Sequence, residues 1–147
     1  IGPQRAGEVV LVEVGRATTD IIVLERAADA AGNPAPSRRA WSRSASVGCG
    51  PRTDRKAEGE SAPWLDRLGH EVARSLVAAR AARGLARTGP PDALLVAGGG
   101  ATVDALATVL EARVGIRPVI LDGLSAGASA PTTPDHDPRR GARFVVA

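Results

Sequence analysis

Two glycine-bearing segments hold the residues best suited to chemistry. The first, Gly15-Arg16-Ala17-Thr18-Thr19, follows a β-branched run and is flanked by Glu13 and Asp20. Consecutive backbone N–H groups in such a turn can face an anion, and the neighbouring carboxylates suit a hydrated Mg2+ that shares its shell with phosphate oxygens. The same residues also make an ordinary hairpin turn, in which Thr and Asp satisfy the backbone and Gly supplies a positive φ. The second segment, Gly98-Gly99-Gly100-Ala101, lies between an apolar run and a helical pattern. A helix N-terminus offers unpaired N–H groups and the positive end of the dipole, and glycine lets a phosphate approach the backbone. Equally, the three glycines can serve only to pack the helix closely on the sheet.

Other patterns carry less. Gly98 and Gly100 fill the first two positions of G-x-G-x-x-G, and Asp122 ends the following strand where a ribose-binding acid would sit, which suggests an NAD-type cofactor; Val103 occupies the third glycine position. Gly123-Leu124-Ser125-Ala126-Gly127 matches the nucleophile-elbow pattern. No helix pattern follows it, and Asp135 is adjacent in sequence to His136, a poor placement for orienting that imidazole, so Ser125 reads as a chance match. His70 falls off its helix's apolar stripe, and Cys49, with no His near in sequence, reads as a small packed residue rather than a nucleophile. The arginines at 38, 39 and 43, at 52 and 55, at 74, 80, 83 and 87, and at 139, 140 and 143 alternate with acids and read as solvated surface.

The elements that must position these groups follow from periodicity. Val9 to Val14 and Ile21 to Leu24 are apolar and β-branched around the first glycine segment, which predicts a hairpin. Residues 39 to 47 alternate Trp41, Arg43, Ala45 and Val47 against Ala40, Ser42, Ser44 and Ser46, which predicts a third strand at an edge. Ser61 can cap a helix over 63–84 whose buried stripe is Leu65, Leu68, Val72, Leu76 and Ala79. Ala93 to Ala97 reads as a short, fully apolar strand, 102–114 as a helix burying Val103, Leu106, Val109 and Leu110, and Pro118 to Leu121 as a strand parallel to it through a right-handed crossover. Residues 51–62 read as a polar loop and 123–140 as an irregular tail. The expectation is a single α/β domain over 1–147, with a mixed sheet of about five strands that opens with an antiparallel hairpin.

Composition limits the rest. With 147 residues there is room for one domain and its core, and 44% hydrophobic against 24% charged residues is a globular balance with no apolar run long enough to span a bilayer. A single cysteine excludes an internal disulfide and a Cys-rich metal site and fits a reducing cytoplasm. The pI of about 10.3 overstates the field, because net charge is only +3 and nearly every base is Arg. Trp41, Trp64 and Phe144 are too few and too scattered to stack nucleic-acid bases, so nucleic acid is not expected as a partner. A start at Ile1 and the lack of Met fit a domain excised from a longer protein.

In succession, VVLVEVGRATTDIIVLE at 9–25 and ALLVAGGGATVDALATVLEARVGIRPVIL at 93–121 resemble the second phosphate motif and the adenosine motif of the actin-like ATPase superfamily. RSASVGCG at 43–50 and PWLDRLGHEVARSL at 63–76 are similar to the strand and helix that follow in its PilM and FtsA branch, which serves pilus assembly and cell division. The resemblance implies a single ribonuclease-H-like subdomain and ATP with Mg2+ as cofactor. It places Glu13 at the metal, where the family usually has Asp. It places Gly15, Arg16, Thr18 and Thr19 at the β/γ-phosphates, although Arg16 stands where a small residue is usual, and Gly98, Gly99 and Gly100 at the ribose and α-phosphate. The half that carries the first phosphate motif is not in this chain, nor is the subdomain usually inserted near residues 51–62. The resemblance therefore implies a remnant of an ATPase with weak or absent nucleotide binding in isolation. Such a module would act on a protein partner in an assembly complex without entering a membrane, with another domain completing its cleft.

Overall fold

The computed structural model describes residues 7–33, 35–50, 63–102 and 104–121. Among them are strands β1 (Gly7–Val14), β2 (Thr19–Arg26), β3 (Arg38–Ala45), β4 (Ala93–Ala97) and β5 (Val119–Ile120), and helices α1 (Pro63–Ala82) and α2 (Asp104–Val114), the latter preceded by a 3-10 turn at Gly99–Thr102. The strands form one sheet in the order β3-β2-β1-β4-β5. β1 to β3 make an antiparallel meander, and β4 joins β1 in parallel with Val10 beside Leu94 and Glu13 beside Ala97. β5 extends the parallel side. The result is the expected α/β mixed sheet of five strands.

Strand alternation explains where the core sits. Val10, Val12 and Val14 of β1, Ile21 and Val23 of β2, and Leu94 and Val96 of β4 share one face and are fully buried or nearly so. Both helices cover that face. α1 contributes Leu65, Leu68, Val72, Leu76 and Ala79, the stripe its sequence spacing predicts, and α2 contributes Leu106, Leu110 and Val114. Each fully buried Val or Leu stabilises the fold by about 1.5–3 kcal/mol through its removal from water. β3 closes the edge: Ala45 and Val47 are buried, Trp41 packs against the core, and Arg43 reaches Glu71 of α1 at 3.2 Å.

Several boundaries differ from the sequence expectation. α1 stops at Ala82 because Gly84, at φ +65, ends it with the Gly84 N–H donating to Ala81 O and the Leu85 N–H to Arg80 O. β4 is the short, fully apolar strand expected, but only one face is buried, since the described helices cover one face only; Leu94 and Val96 are buried while Ala93, Leu95 and Ala97 are partly exposed. β5 is two residues long, with both side chains exposed. Pro118 lacks an N–H and starts no ladder of its own. Ser61, Val103, the loop 51–62 and the tail 123–140 lie outside the described residues.

The larger correction concerns the arginines. Arg80 and Arg83, expected in water, lie against Glu8, which is only 2% exposed at the start of β1. Arg80 donates from Nη2 to Glu8 Oε1 at 2.6 Å and from Nη1 to Gly89 O at 2.8 Å; Arg83 donates from Nη2 to Glu8 Oε2 at 2.6 Å and from Nη1 to Glu25 Oε1 at 3.0 Å. The Glu8 N–H donates in turn to Asp92 Oδ2 at 2.6 Å. Glu8 belongs to the helix-facing side of β1, in step with Val10 and Val12, so the last turn of α1 and the loop after it supply its counter-charges. Burial pushes the Glu8 carboxyl up, but hydrogen bonds from Arg80 and Arg83 and the charges of Arg80 and Arg87 outweigh it, and the net shift is downward.

A carboxyl held below its unfolded value of about 4.5 stabilises the fold fully above that pH and loses the contribution as pH falls through the folded-state pKa. Glu8→Gln should therefore lower stability at pH 7 and flatten the acid limb of a stability–pH profile measured by urea unfolding. Glu8→Ala, which strands buried Arg80, should cost about 3–5 kcal/mol.

Candidate functional site

The parallel β1–β4 pairing sends both strands to the same edge of the sheet, and each ends there in a glycine segment. The C-terminal edge of parallel strands, beside the point where the strand order turns, is where open α/β sheets bind ligands. Here that point is β1, with its hairpin partner on one side and β4 on the other.

Gly15 to Thr18 form a four-residue hairpin loop closed by the Gly15 N–H donating to Thr18 O at 2.9 Å. Gly15 does not serve as a positive-φ residue. It is required by contact, because a Cβ there would lie 2.9 Å from Thr18 O. Arg16, Ala17 and Thr18 are exposed, and among the described residues their backbone N–H groups donate to no protein acceptor. They form an edge with spare donors, the electrostatic requirement for an anion.

Gly98 and Gly100 press on the end of β1. Gly98 has φ +92, and a Cβ on it would lie 2.5 Å from Val14 O; a Cβ on Gly100 would lie 2.4 Å from Val14 Cγ1 and 3.1 Å from Cys49 Cβ. Packing alone thus accounts for two of the three glycines. Its consequence is that the two turns touch through Val14, so a molecule lying along this edge would meet both.

Thr19 differs from its expected place at the phosphates. Its side chain is fully buried, and its hydroxyl donates to Val47 O at 2.7 Å. That bond ties β2 to the residues after β3, so Thr19 supports the turn from behind while Arg16 and Thr18 remain outside. Glu13 lies one residue out of phase with the core valines, on the face away from the helices, half-buried and directly across from exposed Asp20. Two carboxylates opposed across an antiparallel pair repel unless a cation lies between them. These hard oxygen donors fit Mg2+, which takes one or two carboxylates and completes its shell with water and phosphate. Among the described residues no group of three or more His, Cys, Asp or Glu could hold a metal alone.

Sequence reasoning missed a third participant. Residues 48–50 run against the hairpin loop: the Cys49 N–H donates to Gly15 O and the Gly50 N–H to Arg16 O, both at 2.9 Å. Cys49 is buried, as expected of a small packed residue. The usable signal was the repeated pairing of glycine with a strand end at 15, 48 and 98. His70 is exposed, as expected. Asp122, Ser125 and His136 lie outside the described residues. Two concavities of about 560 and 500 Å³ are near the end of α1 and the loop 85–89, at the opposite end of β1, and their arginines 80, 83 and 87 already face carboxylates. Neither concavity is lined by residues 13–20, 48–50 or 98–100.

No family model matches the chain, and no curated protein matches it in sequence. Solved structures do match in fold. One is the PilM–PilN type IV pilus biogenesis complex, with a TM-score of 0.53 at 15% identity, covering 95% of this chain and 42% of that one. Another is an exopolyphosphatase-like protein, with a TM-score of 0.52 at 14% identity, covering 84% of this chain and 35% of that one. At these identities the likeness is one of fold, and it extends over only part of each neighbour. The chain therefore spans well under half the length of these neighbours. No helix among the described residues is long and apolar enough to cross a membrane.

Gly98→Ala should destabilise the protein by more than Gly84→Ala. Both residues have positive φ, but a Cβ on Gly84 meets open space, whereas one on Gly98 meets the Val14 carbonyl. Thermal unfolding should show a loss of about 1 kcal/mol for Gly84→Ala and about 2–3 kcal/mol for Gly98→Ala.

Proposed function

We propose that this subdomain is one wall of an actin-like nucleotide cleft and serves as an assembly module in a pilus- or division-type complex, with little or no ATP turnover by itself. The observation that carries the reading is the shared edge, where the spare N–H groups of Arg16 to Thr18, the Glu13–Asp20 pair and the Gly98–Gly100 turn meet around the end of β1. On this reading Gly15, Arg16 and Thr18 face the β/γ-phosphates, and Glu13, with Asp20, holds Mg2+ through water. Gly98, Gly99 and Gly100 face the ribose and α-phosphate. The Arg16 guanidinium, fully outside the turn, adds a charge-assisted donor that compensates for its bulk. The bound Mg2+ would shield phosphate charge.

A second domain is needed to close the cleft, since an open edge leaves most of a nucleotide in water and burial of ligand surface is what gives a small-molecule site its affinity. The PilM–PilN neighbour, itself a complex, supports a protein partner of the assembled type; the proposed setting is the cytoplasm, where ATP is available.

Calorimetry with ATP and Mg2+ tests the proposal. The isolated chain should bind in the millimolar range, about −4 kcal/mol, and Arg16→Glu should abolish the signal by setting a negative charge beside the phosphates. A Kd of about 1 µM would sink the single-wall reading, and no heat with either ATP or inorganic tripolyphosphate at millimolar concentration would sink nucleotide binding altogether.

A further inference from the structure

We infer that the Gly48–Gly50 segment is the positioning element of the phosphate-facing turn, and that Gly48 is the residue whose size sets the turn's conformation. The inference rests on the reading of Gly15 to Thr18 as an anion-binding turn and adds to it the part that aims the donors.

A four-residue hairpin loop with one internal hydrogen bond does not hold its peptide planes in one orientation by itself. Here two successive carbonyls are held from the same side, Gly15 O by the Cys49 N–H and Arg16 O by the Gly50 N–H, each at 2.9 Å. In a planar trans peptide the C=O of one residue and the N–H of the next point in opposite directions. Holding the Gly15 carbonyl toward Cys49 therefore turns the Arg16 N–H away from it, and holding the Arg16 carbonyl toward Gly50 turns the Ala17 N–H away in the same manner. Two adjacent donors are aimed outward together, as an anion requires, because two adjacent carbonyls are tethered inward.

The tether works only at close range. A Cβ on Gly48 would lie 2.3 Å from Arg16 O and 2.6 Å from the Ala17 nitrogen, both backbone atoms that cannot swing aside as a flexible side chain can. The segment is anchored at one end by the Thr19 hydroxyl on Val47 O at 2.7 Å, and in its middle by Cys49, which is buried against Gly100. Through that contact the same segment touches both turns of the cleft wall.

The test compares Gly48→Ala, Thr19→Val and Thr19→Ser with the remote Gly84→Ala, which strains a positive-φ position in open space and controls for lost stability. Affinity for inorganic tripolyphosphate with Mg2+ is measured by calorimetry, and backbone amides are followed by NMR and hydrogen exchange. Gly48→Ala should weaken tripolyphosphate binding at least about tenfold, shift the Arg16 and Ala17 amide resonances, and remove protection at Cys49 and Gly50. Gly84→Ala should bind as the unmodified chain does. Thr19→Val should weaken binding more than Thr19→Ser, which keeps the hydroxyl, and this pair decides the matter if Gly48→Ala does not fold. Unchanged affinity in Gly48→Ala, or protected Cys49 and Gly50 amides in it, would overturn the inference. If the unmodified chain binds no tripolyphosphate, the anion-binding reading fails, and the positioning claim is still judged by the Arg16 and Ala17 amides, whose constancy in Gly48→Ala would overturn it.

Discussion

The molecule is organised around the backbone of β1, which is hydrogen-bonded on both sides and pressed at both ends. On one side it continues through a hairpin into β2; on the other it runs parallel to β4, with Glu13 level with Ala97. Parallel pairing has a direct steric consequence: both strands finish together, so the turn after β1 and the turn after β4 must share the space beyond Val14. They can do so only because glycine stands at 98 and 100, where any side chain would meet Val14. The absence of side chains thus serves stability and leaves polar backbone at the surface in one stroke.

The two ends of β1 solve opposite electrostatic problems. At its start a carboxylate is buried, and three arginines of α1 and the following loop surround it. Such a cluster is strongly interdependent: with every partner present the charges offset their desolvation, and with one missing the others are left in a poor environment. At its end the strand leaves N–H donors that have no partner among the described residues, and two carboxylates facing one another on the side of the sheet away from the helices. At the first end the charges are paired with one another. The second is left to water or to something bound, which is why the proposed cleft is set there rather than at the concavities beside the end of α1.

The fold was largely legible in the sequence. The stripe Leu65, Leu68, Val72, Leu76 and Ala79 located α1, and the alternation of Trp41, Arg43, Ala45 and Val47 identified an edge strand with one face inward. Both rest on local periodicity, which a single element carries in its own residues. The burial of Arg80 and Arg83 was less accessible. The helical spacing from Leu76 to Arg80 and Arg83 continues toward the core face, and Glu8 keeps step with Val10, yet nothing in either segment announces that these two places meet. Residues far apart along the chain must be brought together before their charges count.

For the candidate site, the residue types at 13, 15–19 and 98–100 were determined by sequence alone, as was the expectation that each turn closes a strand. Which of them face outward was decided by tertiary structure. Thr18 and Thr19 are neighbours of similar chemistry, but β2 begins at Thr19 and turns its hydroxyl inward to Val47, while Thr18 stays in water. The joining of 48–50 to the hairpin loop was likewise beyond any local pattern, because it depends on β3 pairing with β2 in a register that carries its continuation under Gly15 and Arg16. Local pattern reports what a residue can do. Long-range pairing, which no single segment encodes, selects the side on which it does so.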